Sequence, residues 1–123
     1  MAASTTLQQG ALASKLIEDT DVNATAVDNV TGGATTVYYV EIDNTANASA
    51  SYLKFYNHAA PTEGTTPPDV ALRATANARD YFVFPTGIAF ATALSYICTT
   101  AAGTGATTDT APSQAVTVRF LTS

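Results

Sequence analysis

The sequence predicts an all-β protein, an antiparallel two-sheet β-sandwich with an extended N-terminal arm, and three observations predict it. Large apolar side chains concentrate in short stretches, above all ASYLKFYN at 50–57 and YFVFPTGIAFATALSYICTT at 81–100. Within those stretches apolar and polar residues alternate with the period of two that a strand imposes. Segments rich in Gly, Pro, Asn and Asp separate them at spacings of about ten residues, the rhythm of a sandwich and not of βαβ units. Immunoglobulin-like and jelly-roll connectivities both remain open.

Taken in order, residues 1–33 read as an arm followed by a weak edge strand, and 34–123 as the sandwich domain. In the arm, Leu12, Leu16 and Ile17 have the spacing of a short helix, which Gly10 and the following Asp/Asn cluster limit. Residues 21–36 give the weak edge strand, ended by Gly32-Gly33. Residues 37–43 predict a strand with Tyr38, Val40 and Ile42 toward the core and Val37, Tyr39, Glu41 and Asp43 away from it. After a short polar connection, Ser51–Asn57 sends Leu53 and Phe55 inward. Tyr52, Lys54 and Tyr56 are expected on a half-exposed face, with the aliphatic stem of Lys54 lying between the rings.

The proline-rich stretch 58–69 predicts a stiff loop, because proline fixes its own backbone and cannot donate to a sheet. Val70–Ala74 is a strand with Arg73 outward. Tyr81–Phe84 is stopped by Pro85, a turn follows through Gly87, and alternation resumes at Ile88 and Phe90. Residues 92–100 set Leu94, Tyr96 and Cys98 against Ala93, Ser95 and Ile97. A Gly/Thr loop at 101–113 leads to a last strand, 115–121, with Val116, Val118 and Phe120 opposite Thr117 and Arg119.

A chain of 123 residues fits one domain with one modest core. Its 5 basic residues are scattered and the net charge is −5, which argues against nucleic acid and against an anionic membrane surface as partners. The start lacks the basic and continuous apolar regions of a secretion signal, and no stretch has the roughly 18 apolar residues of a membrane helix. The single Cys98 excludes an intrachain disulfide.

The groups that perform chemistry are sparse. Asp19, Asp21 and Asn23 imitate the opening of a calcium loop, but Ala24 stands where glycine is required and Val30 where a bidentate Glu should close the shell. His58 has no second His, so four nitrogen or sulfur ligands for zinc cannot be assembled. Cys98 lies in phase with Leu94 and Tyr96 and reads as a packed thiol. Gly103 and Gly105 lack the third glycine and the strand-to-helix setting of a dinucleotide fingerprint. The expectation is a protein without catalytic, cofactor or metal site and without a small-molecule substrate. The 6 tyrosines can make a sugar-binding platform or a protein interface.

The segments Tyr52–Asn57, Pro61–Gly64, Gly87–Phe90 and Leu94–Thr100 resemble small β-sandwich proteins from the structural gene clusters of tailed phages and prophages. In those, a Y-x-K-x-Y-N strand is followed by a P-x-x-G loop and later by G-[IL]-x-F and L-x-Y-x-x-T-[TS]. The resemblance covers about residues 37–121 and leaves the arm outside. It implies a virion component assembled in the host cytoplasm: a capsid decoration (cement) protein, or a tail, neck or baseplate part. The partners implied are the major capsid protein and copies of the chain itself, as a homotrimer. The residues expected to meet a partner are Leu7, Leu12, Leu16 and Ile17 of the arm, with Tyr52, Lys54 and Tyr56 of the strand.

Overall fold

A computed structural model describes residues 14–104 and 110–123. These form seven strands: β1 (Lys15–Val22), β2 (Thr35–Asp43), β3 (Ser51–Tyr56), β4 (Val70–Ala74), β5 (Arg79–Phe90), β6 (Ser95–Thr99) and β7 (Val116–Thr122). Two sheets hold them, in the orders β1-β7-β2-β5 and β4-β3-β6, and every pairing is antiparallel. The described residues contain no helix, as an all-β sequence requires.

The pairings are nested. β1 pairs with β7, an isolated bridge from Val27 pairs with Tyr96 of β6, β2 pairs with β5, and β3 pairs with β4. Contacts β7·β2 and β3·β6 then tie successive turns of this ribbon into the two sheets.

The core between the sheets follows from alternation. Val116, Val118 and Phe120 of β7 are fully buried, while Thr117 and Arg119 between them are not. Phe120 lies at the centre, with Tyr96 at 5.0 Å and Phe55 at 5.3 Å, both edge-on; Phe90 completes the aromatic group against Phe55 at 5.9 Å. Edge-to-face pairs contribute about 0.5–1.5 kcal/mol each beyond the area they bury.

Alternation fails at one point in β2, where the register shifts between Val37 and Tyr39 against both neighbouring strands. This β-bulge reverses the expected phase at its start: Val37 is buried, and Tyr38 is only half-buried. The partner strand compensates. β5 is not split by a turn but runs on through Pro85 and Gly87, and Gly87 adopts φ +77°. Pro85 is tolerated because β5 is an edge strand.

Three other expectations change. The stretch carrying Leu16 and Ile17 is not helical: Lys15–Val22 is a strand of the sandwich, sewn to β7. Pairing with β7 outweighs a weak helical spacing, because only three residues supported that spacing and the sheet offers a whole ladder of hydrogen bonds. Of the weak strand expected at 21–36, the end of β1 and the single Val27 bridge remain before β2 begins at Thr35. The outer face of β3 is also not half-exposed: Lys54 and Tyr56 are 0% and 2% exposed, and Tyr52 is half-buried. Loops reach over this side of the sheet, with the Lys54 ammonium donating to the Gly103 carbonyl at 2.5 Å and the Ser95 hydroxyl donating to the His58 carbonyl at 2.6 Å.

One end of the sandwich is closed by buried amides. Asn44 donates to the Ser49 and Thr75 carbonyls, and its own oxygen accepts from Asn47 and from the Ser51 hydroxyl. Asn47 also donates to the Gln114 carbonyl and accepts from the Gln114 amide and the Ser113 hydroxyl. Both side chains are 2% exposed or less and fully bonded, so the network fixes three loops at once.

Candidate functional site

Loops cover one sheet; on the outer face of the other, among the described residues, large apolar side chains stand exposed. On β1-β7-β2-β5 the register places Leu16 opposite Leu121, Leu121 opposite Tyr39, and Tyr39 opposite Val83. An apolar row thus crosses all four strands. Leu16 is 64% exposed, Val83 68% and Leu121 38%, while their sequence neighbours Phe120 and Ile17 turn inward. Tyr81, also exposed, extends the row sideways, its ring tilted against that of Tyr39 at 6.4 Å.

A second row of opposite character runs beside the first. Glu18, Arg119 and Glu41 stand in register across β1, β7 and β2, and the Arg119 guanidinium meets Glu18 at 2.6 Å and Glu41 at 3.4 Å. Farther along, Arg79 reaches Asp43 at 3.1 Å and Glu41 at 3.8 Å. The charges therefore pair within the face. What the face offers an approaching surface is its apolar row.

Electrostatics on this side follow the same geometry. Burial, and then the neighbouring Glu41 carboxylate, hold the Tyr39 phenol above its ordinary value. The Thr45 hydroxyl donates to Asp43, and together with the Thr45 amide and Arg79 it holds the Asp43 carboxyl below the usual range.

Other chemical groups have structural partners. The Tyr96 hydroxyl donates to Asp19 at 2.8 Å, and the same side chain accepts from the Asp21 amide, so the acidic stretch braces the end of β1. The exposed His58 uses Nδ1 to accept from the Ala60 amide. Burial pushes the Cys98 thiol up to about 12, which leaves almost no thiolate at neutral pH. A shallow cleft of about 200 Å³ beside the amide network is lined by Asn47, Ser51, Thr100 and Ser113 among others, and none of the described residues lining it is ionisable. No group of three or more His, Cys, Asp or Glu among the described residues stands close enough to hold a metal ion.

The residues expected from sequence separate. Leu16 lies in the exposed row, whereas Ile17 packs on the core. Tyr52, Lys54 and Tyr56 belong to the covered sheet, where burial removes Lys54 and Tyr56 from any contact surface. Leu7 and Leu12 lie outside the described residues. Leu121, Tyr39, Tyr81 and Val83 complete the face but were not singled out as a set, because strand order and register alone bring them together.

The chain belongs, by its architecture, to the all-β proteins of two packed antiparallel sheets, and its distinguishing surface is an exposed, partly apolar sheet face. Comparison with protein-family models, with curated proteins and with solved structures gives no match.

Proposed function

We propose that the chain is a structural protein of a tailed-phage virion, a decoration (cement) protein that binds the outer head lattice and stabilises adjacent major capsid subunits. The observation that carries this reading is the outer face of β1-β7-β2-β5, exposed among the described residues, with its apolar row and mutually paired charges. Exposed apolar patches of a few hundred Å² mark protein contact sites more often than chance. A flat sheet face suits another polypeptide better than a small molecule, which prefers a concave pocket.

Connectivity supports the same reading. In a jelly roll the first strand pairs with the last, the second with the last but one, and so on inward, before the ribbon wraps into two sheets. The nested pairs β1·β7, Val27·β6, β2·β5 and β3·β4 follow that scheme, with the Val27 bridge in place of a full second strand. We therefore take the sandwich to be a jelly roll, an architecture that recurs in viral capsid and lectin domains. A fold does not name a function, so the virion assignment draws on the face and on the phage-like motifs within 37–121.

The partners proposed are the major capsid protein and further copies of this chain in a trimer. Quantitative mass spectrometry of purified virions tests the head role. Hundreds of copies per particle are expected from a symmetric lattice. A mere handful would reject decoration and favour a neck, tail or baseplate position, and absence from the particle would reject both. The sugar-binding alternative loses its platform on β3, since Tyr56 is buried and Tyr52 half-buried.

A further inference from the structure

We propose that the apolar row Leu16–Leu121–Tyr39–Val83 is the seat of residues 1–13 of a second copy of this chain, with Leu7 and Leu12 as the side chains that cover it. The inference deepens the self-assembly part of the reading above, and it does not depend on a capsid.

The first argument is chemical match. The ions of the face pair with one another, so a covering segment need bring no charge. Residues 1–13, MAASTTLQQGALA, contain no ionisable side chain, and Leu7 and Leu12 are their large branched apolar residues. Their small neighbours let a backbone approach a sheet face closely.

The second argument is position. The Ser14 amide donates to the Thr122 carbonyl at 2.9 Å, so the described chain starts at the corner of this sheet, two positions from Leu16. Thirteen extended residues span roughly 43 Å, at about 3.3 Å per residue. The row crosses four strands, a width of roughly 14 Å at about 4.8 Å between neighbours.

The third argument selects a second copy over the same molecule. To lay Leu12 on its own row the chain must reverse between Leu12 and Leu16. Ser14 is already bonded to Thr122 and Lys15 is in β1, which leaves Ala13 alone to turn. A reversal takes four residues. Reaching the row of a neighbour needs no reversal.

Disulfide trapping in the full-length chain tests this. The native Cys98 is buried, so in the variant Leu12→Cys/Val83→Cys cross-linking reports on the two introduced thiols. Under mild oxidation the expected product is a covalent dimer or trimer on a non-reducing gel. The control Leu12→Cys/Arg73→Cys, whose second site is an exposed position on β4 of the other sheet, should remain monomeric. Closure within one chain, absence of closure, or equal cross-linking of the control would each overturn the proposal. Circular dichroism of the reduced variants confirms that they are folded before the gel is read. A negative result here leaves the virion copy number untouched, so the two readings fail independently.

Discussion

Tyr39 and Leu121 stand directly opposite each other across the β2–β7 ladder, on the side of the sheet where Leu16 and Val83 are also exposed. One residue along β7, Phe120 points the other way into the aromatic core. Neighbours in sequence thus meet opposite environments, and truncating each reads the two faces separately. Phe120→Ala should cost about 3–5 kcal/mol, the range for emptying a buried aromatic site. Leu121→Ala should cost less than about 1 kcal/mol, as for a surface position. Urea denaturation of the two variants measures both, and similar losses would mean that the strand is wrongly phased.

Gly87 is the second point of leverage. Its φ of +77° suits glycine, and a Cβ placed there would lie 2.8 Å from the Tyr38 ring and in collision with the Thr36 methyl. Gly87→Ala should destabilise by more than about 1 kcal/mol. Adding Tyr38→Ala should return part of that loss, a coupling that a double-mutant cycle resolves. Purely additive losses would show that Tyr38 does not lie over Gly87.

Asn47 ties the loop at Ser113 and Gln114 to Asn44 through four side-chain hydrogen bonds. Asn47→Ala removes one of the two donors to the buried Asn44 oxygen, which keeps the Ser51 hydroxyl, and takes the side-chain acceptor from the Gln114 amide, at about 1–3 kcal/mol. Hydrogen exchange should then accelerate at Gln114 and Asn77, whose amides bond to the Asn47 side chain and carbonyl. Unchanged exchange would locate the closure of this end elsewhere.

The depressed Asp43 carboxyl makes a pH prediction. A group whose folded pKa lies below its unfolded value of 3.8 contributes stability that is present above that value and is lost as pH falls through the folded pKa. The Thr45 hydroxyl is the largest cause, so Thr45→Val should narrow the stability gap between neutral pH and pH below about 3.8. Thermal melts at both pH values test the sign. An unchanged gap would show that the Thr45 hydroxyl does not hold the Asp43 carboxyl down.

Much of the sandwich was legible in the sequence. Strands β3, β4, β6 and β7 are close to where alternation put them, and Val118, Phe120, Tyr96 and Cys98 are in the core as their phase requires. Three things were not legible. The bulge that turns Val37 inward depends on compensation in β5, which no local pattern reveals. The burial of Lys54 and Tyr56 depends on loops that return from distant sequence. The apolar row depends on strand order: Leu16, Tyr39, Val83 and Leu121 are scattered through the chain and become one surface when β7 inserts between β1 and β2. A single exposed leucine or valine in a strand carries no signal.

The central claim is that this chain acts by presenting the outer face of β1-β7-β2-β5 to another polypeptide. Photo-cross-linking within assembled particles tests it most directly, with a benzophenone amino acid in place of Val83 on that face or of Arg73 on the other sheet. The account predicts cross-linked products from position 83 to a further copy of the chain or to a capsid subunit, and little from position 73. Products from position 73 with none from position 83 would contradict it.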